Sequence, residues 1–314
     1  MLFIGSCAGT FYALDKATGE VKWRYNVRAD GDQNNFHGNP LITADLVITG
    51  TDGGARPTGV GSIYAFERAT GKLRWRYFAG RGVPTSILQL GTSIYAVTLS
   101  DELICLDLRT GRLSWAFPSG ASNEQLYVNA TPVGERNRVF FAGLNGKVYA
   151  VDSVSGQRVW EINLGFRVSN SLALSGGYLY VGAANGHIYR LNAKNGDVVA
   201  DFVVGTETYR PFVLTQDSII TFEGAKTLAC LPRSLKGPRW TQRSTTPWSS
   251  SQPYLWRGMA VVGSEDGEVQ AFRVADGSPE WSYKFTGRIG GIGSDQNVLY
   301  IGTRDGTVYA YVPR

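Results

Sequence analysis

Residues 64–75 read Tyr64-Ala65-Phe66-Glu67-Arg68-Ala69-Thr70-Gly71-Lys72-Leu73-Arg74-Trp75. An aromatic and apolar run ends at an acidic residue, a Thr-Gly pair follows, and a second short run carries a Trp. A carboxylate ahead of the turn can accept from backbone amides, and Gly supplies a left-handed position. The stretch reads as strand, tight turn, strand.

The same pattern recurs along the chain. Tyr12-Ala13-Leu14-Asp15 leads to Thr18-Gly19 and Trp23, and Ile104-Cys105-Leu106-Asp107 leads to Thr110-Gly111 and Trp115. Tyr149-Ala150-Val151-Asp152 leads to Ser155-Gly156 and Trp160, and Gln270-Ala271-Phe272-Arg273 leads to Asp276-Gly277 and Trp281. A further copy, Tyr189-Arg190-Leu191-Asn192 with Asn195-Gly196, has Ala200 where Trp is due. Ala229-Cys230-Leu231-Pro232 with Gly237 and Trp240 is degenerate, and Tyr309-Ala310-Tyr311 opens one more. The copies begin at 12, 64, 104, 149, 189, 229, 270 and 309, with a modal spacing of 40. Several short strands per 40 residues predict an all-β, eight-bladed β-propeller of four-stranded blades. Residues 1–314 are expected to form one such domain.

Within a blade the strands are named A to D. Tyr178-Leu179-Tyr180-Val181-Gly182 reads as a B strand, Asn185-Gly186 as a hairpin turn with both residues suited to positive φ, and Ile188-Tyr189-Arg190-Leu191 as strand C. Strand D carries the Trp. The six repeat tryptophans (Trp23, Trp75, Trp115, Trp160, Trp240 and Trp281) are expected to pack between blades. The first and last blades are incomplete: Leu2-Phe3-Ile4-Gly5 parallels the B strand Leu299-Tyr300-Ile301-Gly302, and the last copy ends after strand C. A D–A strand pair of roughly 20–30 residues is expected upstream of Met1.

Composition agrees. Of 314 residues 39 are Gly, 12% are aromatic and 18% are charged, which suits short strands and turns and excludes a disordered chain. No apolar run reaches the ~18 residues of a membrane-spanning helix. The net charge of +5 comes without a Lys/Arg-rich run, so no nucleic-acid partner is expected.

The motif Ala-x-Asp-x-x-Thr-Gly-x-x-x-Trp resembles the tryptophan-docking repeat of the quinoprotein-like (pyrroloquinoline-quinone repeat) propellers, over essentially the whole chain. The enzymes of that family are quinone-dependent alcohol and sugar dehydrogenases with a Ca²⁺ site, an Asp base, a stacking Trp and often a vicinal Cys pair. This chain has no adjacent cysteines, and its predicted inner strands hold no convincing oxygen-ligand cluster. It resembles instead the non-catalytic members, such as the propeller lipoprotein of the outer-membrane β-barrel assembly machine. The resemblance implies a bacterial, periplasmic or otherwise extracytoplasmic scaffold that recruits a protein or peptide. Association with a membrane complex follows; no cofactor, metal or catalytic residue is expected. A quinone-dependent dehydrogenase and a small-ligand sensor are the alternatives.

No nucleophile elbow, P-loop or zinc-protease motif is present. The Gly-rich run of residues 50–61 lies between strands B and C of blade 2 with no helix after it, so it reads as a long hairpin loop. Ile4-Gly5-Ser6-Cys7 has the look of a lipoprotein cleavage box, but no basic and apolar leader precedes it, and it reads as strand. Cys105 and Cys230 occupy the Ala slot of the repeat and are expected to be buried packing residues. His187, in a B–C turn, is expected to be solvated, and His37 to line the channel mouth or serve a turn. The D–A links carry Arg81, Arg167, Arg210, Arg243 and Arg288, with Phe36, Tyr127, Phe166, Tyr209 and Trp248. Arg and aromatics are enriched at binding hot spots. The candidate binding face is therefore His37, Arg81, Tyr127, Arg167, Tyr209, Arg210, Trp248 and Arg288, suited to an acidic partner.

Overall fold

The computed structural model describes residues 1–31, 35–52, 60–99, 102–118, 130–205, 212–249 and 252–312, the side chains of 169–171 excepted. Among these, the strands form eight antiparallel sheets, each in chain order: six of four strands, with a three-stranded sheet first and another last. A single 3-10 turn at Val27–Asp30 is the only helical element described. The all-β blade pattern expected from the repeat is what the chain forms. The residues fall into two compact units, Met1–Leu174 and Ser175–Arg314, with the division inside the A strand of blade 5, Val168–Ser175.

Blade 2 illustrates a complete sheet: A is Leu41–Ile42, B is Leu46–Gly50, C is Ser62–Glu67 and D is Leu73–Phe78. The middle strands are buried on both faces, whereas D is only partly covered, with Arg74 and Phe78 exposed. Both faces of the inner strands must be covered, and within each unit neighbouring blades share cores. In the first unit, Ile48, Ile63, Ala65 and Trp75 of blade 2 share one core with Ile87, Ile94, Ile104 and Leu106 of blade 3. In the second unit, Ile220, Leu228 and Cys230 of blade 6 pack with Ala260, Val262 and Phe272 of blade 7.

The turn chemistry is as the repeat implies. Asp15 Oδ1 accepts from the amides of Ala17 (2.8 Å) and Thr18 (3.2 Å), and Gly19 sits at φ 76°. The Asn185-Gly186 hairpin differs in detail. Only Gly186 has positive φ (82°), because the loop holds three residues and ends in a left-handed glycine. Asn185 instead uses its side-chain carbonyl to accept the His187 amide at 3.3 Å.

Four of the six repeat tryptophans share one geometry. Trp23, Trp75, Trp115 and Trp240 donate their indole N–H to the carbonyls of Arg68, Leu108, Ser153 and Val274, each in the next blade's C–D turn. Each ring covers the left-handed glycine of that turn: Gly71, Gly111, Gly156 and Gly277. Opposite each Trp, on strand C, stands a small residue: Ala13, Ala65, Cys105 and Cys230. In blades 1, 2 and 3 a β-bulge displaces the D strand just before the Trp, at Lys22, Arg74 and Ser114. Trp160 is buried beside Phe140 at 5.8 Å. Trp281 packs against Tyr311, the rings tilted by 48° with centroids 5.3 Å apart.

Candidate functional site

The D–A links lie at the same end of each blade as the B–C turns. In the first unit, three links can be followed there. His37 Nδ1 lies 2.6 Å from Asp52 Oδ2, at the end of strand B of blade 2. The carboxylate is buried and the imidazole half exposed, and the hydrogen bond to Asp52 raises the His37 pKa above the ordinary histidine value. Arg81 reaches the same place from the next link. A Cβ on its neighbour Gly82 would fall 2.5 Å from the Asp52 Cβ, and Val83 N donates to Thr51 O at 2.9 Å. The Arg81 side chain is exposed. His37 and Arg81 are thus brought together around Asp52, whose part the sequence pattern did not signal.

The third link is Gly165-Phe166-Arg167. Its backbone is tied to the B–C turn of blade 4: Leu164 N donates to Gly146 O at 2.9 Å and Val168 N to Gly143 O at 3.3 Å. Gly165, at φ 77°, donates to Asn163 Oδ1 at 2.8 Å. On this fixed loop Phe166 is 48% exposed and Arg167 is exposed. A large aromatic and a guanidinium held side by side in solvent suit protein recognition. Phe36, read from sequence as part of the face, is instead buried: it packs on Gly5, where a Cβ would meet it at 2.3 Å.

In the second unit one candidate is corrected. Trp248 is not available to a ligand: it is fully buried between Phe222 and Phe272, at 6.4 and 6.3 Å, and its amide donates to Ala225 O. The short bridge it forms with Ser264 pulls it into the blade 6–7 core, a long-range contact that composition does not reveal. Arg288 is exposed but paired with Glu265 at 2.9 Å. His187, expected in solvent, is half buried, stacked on Tyr189 and 2.7 Å from Asp201. Tyr127, Tyr209 and Arg210 lie outside the described residues, as do residues 53–59 of the long blade 2 loop.

Among the described residues no group of three or more His, Cys, Asp or Glu side chains is placed to hold a metal ion. A cavity of about 660 Å³ lies beside Trp115, lined by Tyr95, Cys105, Ser153 and Arg136. Burial pushes the Cys105 thiol up, so it is a poor nucleophile there.

The family model described as outer membrane protein assembly factor BamB matches residues 1–202 and 203–314. The chain is 28% identical over 187 residues to that factor from Yersinia pestis, over 55% of this chain and 48% of the relative. It thus spans about half the length of that curated relative. The crystal structure of BamB from Moraxella catarrhalis superposes with a TM-score of 0.79 at 18% identity, covering 99% of this chain and 93% of that one. A europium-containing methanol dehydrogenase superposes with a TM-score of 0.70 at 13% identity, covering 99% and 80%. At such identities the superpositions establish the β-propeller fold, which enzymes and scaffolds share. The family match along the chain goes further: this protein belongs to the family of the outer membrane protein assembly factor BamB.

Proposed function

We propose that this chain is a non-catalytic scaffold for outer-membrane protein assembly, acting in the periplasm and recruiting a protein partner through the blade ends that carry the D–A links. The observation that carries the reading is the family match over residues 1–202 and 203–314. The fixed link with exposed Phe166 and Arg167 supports the choice of surface. Exposed Arg81 adds a guanidinium at the end of blade 2, which favours a partner with an acidic surface or an extended acidic segment. No described helix is long and apolar enough to cross a membrane.

The test is affinity purification of the tagged protein from host membranes, beside the Arg167→Glu variant. The reading expects a component of the outer-membrane assembly machinery with the parent protein and much less with the variant. Recovery of no such component, together with dye-linked alcohol or sugar oxidation on adding pyrroloquinoline quinone and Ca²⁺, would overturn it in favour of a dehydrogenase.

A further inference from the structure

The docking contact from blade 5 to blade 6 is missing at both of its ends. Elsewhere a small strand C residue faces a Trp on strand D. Here the sizes are exchanged, and Arg190 faces Ala200. The recipient turn changes too. The position six residues after the small strand C residue is Gly71 in blade 2 and Gly277 in blade 7, but Lys236 in blade 6. Donor ring and receiving glycine are lost together.

Arginine chemistry occupies the vacated place. The Arg190 guanidinium stacks over Tyr178, 3.6 Å from the ring centroid. Tyr180, the strand B partner of Arg190, donates its hydroxyl to Arg233 O at 3.3 Å. That carbonyl is the counterpart of those which accept the indole N–H elsewhere. In blade 3 the equivalent Tyr95 and Trp115 donate together to Ser153 O. The Arg233 side chain donates to Ser175 Oγ and to the Thr215 carbonyl. Both guanidiniums act on the Tyr180 hydroxyl, opposing the larger upward push of burial on its pKa.

The charge of this corner is uncompensated. Among the described residues no carboxylate pairs with Arg190 or Arg233. Asp217, whose backbone carbonyl accepts from the Arg233 amide at 3.1 Å, has its carboxylate engaged by Arg239 at 2.5 Å. The Nε atoms of Arg190 and Arg233 are both buried and without an acceptor. Two cations gathered on neutral acceptors carry a cost that a bound anion removes. Planar guanidinium forks with hydroxyls beside them are the chemistry of oxyanion recognition.

We propose that Arg190 and Arg233, with Ser175 and Tyr180, form an oxyanion site for a phosphate group in the place of the missing Trp–Gly docking contact. The group is either free phosphate or a phospholipid headgroup. The site is independent of the partner-binding face.

Titration with inorganic phosphate at constant ionic strength, followed by calorimetry and by ³¹P line width, tests it. The parent protein is expected to bind, and Arg190→Met, which keeps the packing on Tyr178, to bind at least about tenfold more weakly. Should that variant fold poorly, Arg190→Lys keeps the charge and loses the fork, and is expected to be several-fold weaker. Equal phosphate binding by parent and folded variant, or none by the parent, overturns the site. Co-sedimentation with phosphatidylglycerol rather than phosphatidylcholine vesicles, lost in Arg190→Met, supports the site and assigns the headgroup as source. Phosphate binding without vesicle binding supports it and assigns the free anion.

Discussion

Trp75 fills the space that a side chain on Gly111 would need: a Cβ there would fall 2.5 Å from the indole ring. Gly111 is also left-handed, at φ 68°. Gly91, at φ 59°, is left-handed with nothing within 4 Å of its would-be Cβ. The two glycines separate backbone strain from packing. Gly91→Ala is expected to cost about 1 kcal/mol from the left-handed conformation alone. Gly111→Ala must in addition displace the Trp and is expected to cost about 2–4 kcal/mol. Trp75→Ala, which empties the same contact, should cost ~3–5 kcal/mol. Urea denaturation of the three variants measures the order, and an equal cost for the two glycine variants would contradict the docking account.

The cysteines give a second check on the blade packing. Cys105 and Cys230 face Trp115 and Trp240 across the C–D pair, and burial raises both thiols. Cys7 is exposed. A thiol reagent at neutral pH is expected to modify Cys7 in the native protein and all three only after unfolding, because the thiolate is the reactive form. Rapid native labelling at Cys105, read by peptide mass spectrometry, would place it outside the core.

His37 offers a pH-dependent contact at the end of blade 2. Its pKa is raised chiefly by the hydrogen bond to Asp52. The stabilisation is therefore complete below the unfolded histidine value of ~6.5 and is lost as pH rises through the higher folded value. With the imidazole 51% exposed, its magnitude should stay below about 1 kcal/mol. A proton NMR titration of His37 should show a midpoint that falls in Asp52→Asn. An unchanged midpoint would mean the contact does not form in solution.

The blade pattern was legible because it is local. The Asp-x-x-Thr-Gly turn, the Trp on strand D and the small residue opposite it all lie within a dozen residues. The bulges beside Trp23, Trp75 and Trp115 left no mark in the sequence, because the displaced residues, Lys22, Arg74 and Ser114, share no side-chain type. The binding face was only partly legible. Arg167 and Arg81 are exposed where the links predict, since a charged side chain on a short link has little apolar surface to hide under. The aromatics divided. Phe166 stays in solvent on a link tied down by its backbone, whereas Phe36 and Trp248 are drawn into inter-blade cores. Link position alone does not distinguish these fates; the neighbouring blade's vacancy does, as Gly5 makes for Phe36.

The exposed arginines should differ in what they do. Arg167 has no charged partner among the described residues, whereas Arg288 is held by Glu265 at 2.9 Å. An exposed ion pair contributes little to stability, so neither Arg167→Glu nor Arg288→Glu should shift the folding free energy by more than ~1 kcal/mol. Binding is another matter. An unpaired guanidinium beside Phe166 can be desolvated against an acidic partner without first breaking an existing pair. Arg167→Glu and Phe166→Ala are therefore each expected to weaken partner binding about tenfold or more. Arg288→Glu should have the smaller effect, since Glu265 already offsets its charge. Binding of the purified partner in rising salt supplies the control: affinity for the parent protein should fall with ionic strength, and that dependence should shrink in Arg167→Glu. If Arg288→Glu proves the more damaging of the two, the working surface lies with blades 7 and 8 and not at the Phe166–Arg167 link.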